Sequence, residues 1–334
     1  MSDQSVSYPD VARLLRHGYG LRLCGEPTLL KGGEDNLNLL VDTDQGTFVL
    51  RRYDACNTTR ATHELALVNE LADEDFPTPK PVQRPRGGWL YIWRKRPVAL
   101  FPFITGFVPK EYDVPLAEAL GSLLAKLHKI TEHYKTHLRF ENDIAELGRA
   151  LKRRHLVRLV SMDHWKRTVR NFLERNKATL NRSWRSLPRG VVHHDLHRMN
   201  LLVNDNGTPL AVLDFGEACV APYIVDIVRV WHYIASETEG RRLATPLRDA
   251  LLKGYQRHRR LSVDELSFLP LYFDLVNLAD ASRFLASPPD EVTSAEECRS
   301  LQIYQANRSN SSERERTYSG ATEGPHDPIQ PVVA

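Results

Sequence analysis

Three side chains in one stretch of this chain could together carry out phosphoryl transfer: the carboxylates of Asp195 and Asp214 and the amide of Asn200. Transfer to a hydroxyl needs a carboxylate that orients the hydroxyl and takes its proton. It also needs hard oxygen ligands for a divalent cation on the phosphates. Asp195 is assigned the first task. Asn200 and Asp214 are assigned the second, because magnesium takes one or two protein oxygens and leaves its other positions to phosphates and water. His193 is expected to brace the loop by hydrogen bonding rather than to react.

The neighbouring elements explain how these groups could meet. Val191-Val192 reads as an apolar strand leading into the loop. Leu201-Leu202-Val203 and Leu210 to Leu213 read as two further strands, separated by Asn204-Asp205-Asn206-Gly207. Asn-Gly is the strongest short hairpin signal. With Asn206 and Gly207 as the two central turn residues, Asn200 falls opposite Leu213 and beside Asp214. His193 and His197 have a spacing that suits zinc only on a helix, and the valines before and hairpin after argue for a loop. His193 to Asn200 fits the catalytic-loop template H-R-D-L-x-x-x-N, with His194 in place of the arginine. Asp214-Phe215-Gly216 fits the D-F-G element. A lone D-F-G arises often by chance, but the two elements in order, joined by a hairpin, are specific.

The nucleotide phosphates would need a cation of their own and an acid to hold it. Phe48-Val49-Leu50-Arg51 stands where V-A-I-K stands in kinases, and an arginine can grip phosphate in bidentate fashion. Glu64, on the next expected helix, is its candidate partner, a reading preferred on position to that of an ordinary solvent-facing helix glutamate. Lys31-Gly32-Gly33-Glu34-Asp35-Asn36 is not G-x-G-x-x-G. Gly32, Gly33 and Asn36 could cover phosphates through backbone N–H groups, or form a plain hairpin turn.

The chain has 334 residues, 42% hydrophobic and 26% charged, enough for two lobes with a core. Its net charge of +3 is too balanced to argue for nucleic acid as partner from charge alone, and no membrane partner is expected. Basic runs such as Arg94-Lys95-Arg96 and Arg257-His258-Arg259-Arg260 read as solvated faces. The four cysteines show neither C-x-x-C pairing nor zinc-finger spacing, as free thiols in a reducing compartment would. The polar start lacks a signal peptide and no apolar stretch reaches membrane-span length, so a cytoplasmic location is expected. A helix is predicted at 8–20, strands between Thr28 and Tyr53 with a turn at Asp44-Gln45-Gly46, and a helix from Asn57 to about Leu71. Strands at Trp89–Trp93 and Pro97–Ile104 complete a small mixed lobe, residues 1–105. Asp113 opens a helix with an apolar stripe of Leu116, Leu120, Leu123, Leu124 and Leu127. Helices within 140–186 and at about 222–237, 242–258 and 263–286 make a mainly helical lobe, residues 106–290. An extension, 291–334, is expected to be disordered from about Asn307.

The chain resembles the aminoglycoside phosphotransferase/choline kinase superfamily, small-molecule relatives of protein kinases, over about residues 20–290. The resemblance rests on Gly32-Gly33 with Asn36, Phe48 to Arg51, Glu64, Phe103 to Gly106, Leu120-Gly121 with Leu127-His128, His193 to Asn200, and Asp214-Phe215-Gly216. It implies an α+β, bilobal, protein-kinase-like fold, with ATP and Mg2+ as cofactors and a small hydroxylated molecule as acceptor in the helical lobe. It also implies that backbone groups of Pro102 and Ile104 contact adenine. Asp226-Ile227-Val228 resembles the family's Asp-Leu-Ala element, whose aspartate buttresses the catalytic loop. Ala221-Pro222 follows the D-F-G element too soon for the activation loop of a protein kinase. The pattern of Gly88-Trp89 to Gly106, and of Gly254-Tyr255 with Leu261 to Glu265, most resembles the homoserine-kinase-like branch; Arg51 fits the choline-kinase-like and antibiotic-kinase branches better. The acceptor implied is an amino alcohol such as homoserine or choline. The alternatives are an antibiotic-inactivating kinase for aminoglycosides or macrolides, and a non-catalytic pseudokinase. Glu217 and Asp274 are the carboxylates offered to an amine-bearing acceptor.

Overall fold

The computed structural model describes residues 7–30, 36–54, 56–134, 143–152, 162–238, 241–286 and 300–305. Gly32, Gly33, Cys298 and the tail from Asn307 lie outside the described residues. The architecture is α+β. Helix α1 (Tyr8–Tyr19) precedes strands β1 (Thr28–Leu29), β2 (Asn36–Thr43) and β3 (Gly46–Tyr53), helix α2 (Thr58–Asp73), and strands β4 (Tyr91–Trp93) and β5 (Arg96–Pro102). The two last strands are shorter than the sequence pattern suggests. These strands form one antiparallel sheet of five in the order β1-β2-β3-β5-β4. Val11, Leu14 and Leu15 of α1 share a core with Leu39, Val41, Leu50, Val98 and Leu100 of the sheet. Helix α2 starts where Asn57 Oδ1 accepts the Arg60 N–H at 2.9 Å, a side-chain N-cap. Its Ala61, Leu65, Val68 and Leu71 are buried, and Glu64 is buried with them.

Helix α3 (Val114–Ile130), capped by Asp113 through a 2.7 Å bond to Leu116 N–H, buries the leucine stripe. Helices α4 (Asp143–Lys152) and α5 (Met162–Ser186) follow, then strands β6 (Arg189–Val192), β7 (Leu201–Val203), β8 (Pro209–Val212) and β9 (Cys219–Pro222). Helices α6 (Ile224–Glu237), α7 (Arg241–Gln256) and α8 (Val263–Ala286) come last. The pairing of β6 with β9 has no counterpart in the sequence reading. Helices α3 and α7 cross at two glycines: a Cβ on Gly121 would lie 2.0 Å from Leu251 O, and one on Gly254 1.9 Å from Glu118 O. Contacts divide the chain into two compact units, Met1–Glu141 with Ala178–Tyr272, and Asn142–Lys177 with Phe273–Ala334. The expected lobe boundary at residues 105 and 106 falls inside the first. Within the second, Arg283 pairs with Asp143 at 2.7 Å, and Ile144, Leu147, Trp165, Val169 and Phe172 are buried.

The β7–β8 hairpin reaches the expected register by another route. Gly207 N–H bonds Asn204 O at 2.9 Å, so Asp205 and Asn206, not Asn206 and Gly207, are the central turn residues. Gly207, at φ 75, takes the left-handed position after them. A second irregularity beside Val203 shifts the pairing again, so that Leu202 faces Ala211 and Leu201 faces Val212. The two one-residue shifts together put Asn200 opposite Leu213 after all, with Leu213 N–H on Asn200 O at 2.9 Å.

Candidate active site

Residues 193–200 leave β6 as a loop and are fastened on three sides. Asp226, buried on the first turn of α6, accepts the backbone N–H groups of His193 at 2.8 Å and His194 at 2.7 Å. It also meets His128 Nε2 at 2.9 Å. A carboxylate only accepts, so His128 donates from Nε2 and takes the Tyr255 hydroxyl on Nδ1, 2.8 Å away. Burial holds the His128 pKa below its usual range despite Asp226, in keeping with a neutral ring. His193 accepts the Asp195 N–H on Nδ1 at 3.2 Å and reaches Leu213 O from Nε2 at 3.0 Å. One neutral tautomer satisfies both bonds, and it ties the loop to the residue before Asp214. His194 has φ 71, a left-handed backbone uncommon for a residue with a Cβ. Its Nε2 accepts from Arg229 Nε at 2.9 Å, so a guanidinium from α6 meets the position where the template carries its arginine.

Asn200 Nδ2 donates to the Asp195 carbonyl at 2.9 Å, which makes Oδ1 the amide atom available to a cation. Asp214 also has a left-handed backbone, at φ 59, and its Oδ1 accepts the Gly216 N–H at 3.3 Å. Such geometry is tolerated by Asp and recurs at functional sites. Asp195 Oδ1 accepts from the Tyr233 hydroxyl, and Oδ2 lies 3.6 Å from His197 Nε2. Burial raises the Asp195 pKa, but the neighbouring His197 and the Tyr233 hydrogen bond outweigh it and hold the carboxyl below its ordinary value. The carboxylate is therefore ionised at neutral pH. His193 and His197 thus point to different partners, and no metal-ligating group of three or more His, Cys, Asp or Glu exists among the described residues.

On the sheet, Arg51 lies between two carboxylates: its NH1 is 3.4 Å from Glu64 Oε1 and 3.7 Å from Asp214 Oδ1. Burial opposes its charge, but Asp214 and Glu64 outweigh it and raise its pKa. Burial pushes the Glu64 carboxyl up to about 7, against the pull of Arg51. Glu64 is thus the buried partner of Arg51 rather than a solvent-facing residue. Asn38 and Tyr53, absent from the sequence reading, complete this group: Asn38 Oδ1 accepts from Arg51 Nε at 3.2 Å, and the Tyr53 hydroxyl donates to Glu64 at 3.4 Å. Asn36 begins β2 opposite Tyr53, and Pro102 ends β5 opposite Phe48. The next N–H, of Phe103, bonds Thr47 O at 3.1 Å, and Ile104 follows beyond the ladder. Glu217 is paired with Arg60 at 3.1 Å, so its charge is already met. Asp274 belongs to the second compact unit.

Residues 26–261 match the sequence model of a family described as the phosphotransferase enzyme family. A homoserine kinase of Caulobacter vibrioides is 30% identical over 276 residues, covering 79% of this chain and 84% of the relative. Among solved structures, an amicoumacin kinase in complex with AMP-PNP, Ca2+ and Ami superposes with a TM-score of 0.68 at 16% identity, over 91% of this chain and 92% of that one. A microcompartment-associated aminopropanol kinase does so at 0.66 and 20% identity, over 93% and 98%. These two show the protein-kinase-like fold. Family match and relative together show that the chain belongs to the phosphotransferase enzyme family and is a small-molecule kinase.

Proposed function

We propose that the chain transfers the γ-phosphoryl group of ATP, with magnesium, to the hydroxyl of a small amino alcohol, L-homoserine being the first acceptor to test. One observation carries the site assignment. The Asn200–Leu213 backbone bond of 2.9 Å sets Asn200 beside Asp214, while Asn200 Nδ2 holds the main chain of Asp195 at 2.9 Å. Base and cation ligands are thereby one hydrogen-bonded piece. The amino-alcohol acceptor is supported by the homoserine kinases among the relatives.

Asn200 Oδ1 and the Asp214 carboxylate are the groups that would hold the cation, and two hard oxygens suit magnesium better than a thiophilic metal. Bound there, magnesium would neutralise charge building on the phosphates. Asp195 orients the acceptor hydroxyl and takes its proton as the oxygen bonds to the γ-phosphorus. The bond from that phosphorus to the β–γ bridging oxygen breaks, and ADP leaves. Arg51, oriented by Asn38 and Glu64, pairs with the phosphates; Gly32, Gly33 and Asn36 cover them. Backbone groups of Pro102 and Ile104 receive adenine between the lobes of residues 1–105 and 106–290. His193 and Asp226 support the loop. A cytoplasmic location belongs to the same reading; among the described residues no helix is long and apolar enough to cross a membrane.

The test is ADP release across a panel of homoserine, choline, 1-amino-2-propanol, sugars, aminoglycosides and macrolides, with wild type and Asp195→Asn. Homoserine or another amino alcohol should give the highest kcat/KM, and Asp195→Asn should lose at least about a hundredfold in kcat while binding nucleotide normally. Fastest turnover of an antibiotic would replace the acceptor. Nucleotide binding without turnover of any acceptor would make the chain a regulator.

A further inference from the structure

Tyr233 is far from the catalytic loop in sequence, yet its hydroxyl donates to Asp195 Oδ1. Four residues further along α6, Glu237 pairs with Arg198 Nε. Positions i and i+4 share a helix face, so one face of α6 meets the loop at both Asp195 and Arg198. Arg198 is independently held, its N–H on the Tyr112 hydroxyl at 3.0 Å and its NH1 on Pro109 O at 2.9 Å. The His197 ring packs edge-on to Tyr233, with centroids 5.2 Å apart.

The two oxygens of Asp195 therefore have unequal surroundings. Oδ1 is engaged by the phenol. Among the described residues Oδ2 has only longer contacts, His197 Nε2 at 3.6 Å and Asn200 Nδ2 at 3.4 Å. Rotation about the last bond of an aspartate is soft and roughly two-fold, so an outside donor must choose which oxygen points where. A proton acceptor works only within hydrogen-bond reach of its substrate, and a misplaced group loses rate steeply.

We propose that Tyr233 is a positioning residue for phosphoryl transfer: its hydroxyl holds Asp195 Oδ1, so that Oδ2 is the oxygen offered to the acceptor. This rests on the reading of Asp195 as the base. The proton of the acceptor hydroxyl passes to Oδ2 as the new P–O bond forms and the β–γ bridge breaks; Tyr233 keeps its own proton throughout.

The test compares wild type, Tyr233→Phe, Asp195→Asn and the double variant in the full chain. ADP release is read with L-homoserine and, in parallel, with water alone as acceptor, so that turnover is measured whichever acceptor is used. Nucleotide affinity is measured separately. Tyr233→Phe deletes one oxygen and leaves the ring packing intact. It should lower kcat about ten- to hundredfold, the scale of a hydrogen bond to a charged group. KM for ATP should stay within about twofold, and the substitution should cost nothing further in the Asp195→Asn background, as expected of residues acting as one unit. An unchanged kcat in Tyr233→Phe, with Asp195→Asn inactive, overturns the inference and leaves the base assignment standing. An equal loss from Tyr233→Phe in both backgrounds also overturns it, since the tyrosine would then act other than through Asp195. Full activity in Asp195→Asn removes the base assignment itself, and the inference with it.

Discussion

Glu64 offers a test in which stability and activity should move in opposite directions. It is buried on α2 with its carboxyl pushed up to about 7 by burial, against 4.5 for an ordinary glutamate. The folded chain therefore binds a proton there that the unfolded chain releases near pH 4.5. Stability from the neutral form is fully present below about pH 4.5 and is lost as pH rises through about 7. At about 1.4 kcal/mol per pH unit, the ionised Glu64 costs the fold about 3 kcal/mol above pH 8 and under about 1 kcal/mol at pH 5. Glu64→Gln keeps the shape and an acceptor oxygen but cannot ionise. Urea unfolding of this variant should show a gain of about 1–3 kcal/mol at pH 8 that shrinks towards zero by pH 5. Activity should suffer, because Arg51 keeps only Asp214 as an anionic partner, and Asp214 is already within 3.7 Å. In the proposed mechanism a guanidinium drawn to Asp214 is turned from the phosphates and competes with the cation for that carboxylate, so KM for ATP should rise about tenfold. A Gln variant more than about 1 kcal/mol less stable than wild type at pH 8 would refute the reasoning: attraction to Arg51 would then exceed the desolvation of Glu64.

Substitutions at three further positions probe the scaffold. Asp226→Ala removes the acceptor of two backbone N–H groups and of His128 in a buried place. It should destabilise by about 3–5 kcal/mol in urea unfolding, because the donors left behind have no water to replace it; Asp226→Asn, with one acceptor oxygen, should lose less. Gly254→Ala would put a methyl group 1.9 Å from Glu118 O and force α3 and α7 apart, costing about 2 kcal/mol or more of stability. Gly148→Ala in α4, where a Cβ meets nothing within 4 Å, should instead gain about 0.5–1 kcal/mol. Thermal unfolding of the pair separates steric conflict from helix propensity.

What could be read from the sequence depended on how locally each group is determined. The proposed base and cation ligands sit on a short loop and the hairpin after it, where turn chemistry sets the pairing. Even there the turn residues were misassigned. Asn200 reached Leu213 because two one-residue irregularities add to the register a simple Asn206-Gly207 turn would have given. Asn38 was legible in principle: a turn at Asp44 and Gln45 pairs Thr43 with Gly46, and the same ladder continued back sets Asn38 opposite Arg51. Tyr233 was not legible. Its contact with Asp195 depends on the rotation of α6 about its axis, which the helical pattern of apolar residues constrains too loosely to single out one polar side chain. Glu64 was legible as the partner of Arg51 from its place on the next helix, and its burial among apolar residues follows from that pairing.

The arginine that departs from the lysine of the V-A-I-K template follows from the same geometry. Arg51 Nε is held by Asn38 across the β2–β3 ladder, and NH1 lies between Glu64 and Asp214. The Phe101 ring faces the guanidinium, 5.7 Å from its carbon, a further attraction for a cation. A planar fork can keep one nitrogen on a sheet neighbour and one on the α2 carboxylate while a third remains for phosphate. A lysine presents one nitrogen at the end of a flexible stem and would have to give up Asn38 or Glu64 to reach a phosphate. The asparagine and the arginine on facing strands are therefore one device: the amide fixes the plane of the guanidinium, and that plane divides its charge between the helix carboxylate and Asp214.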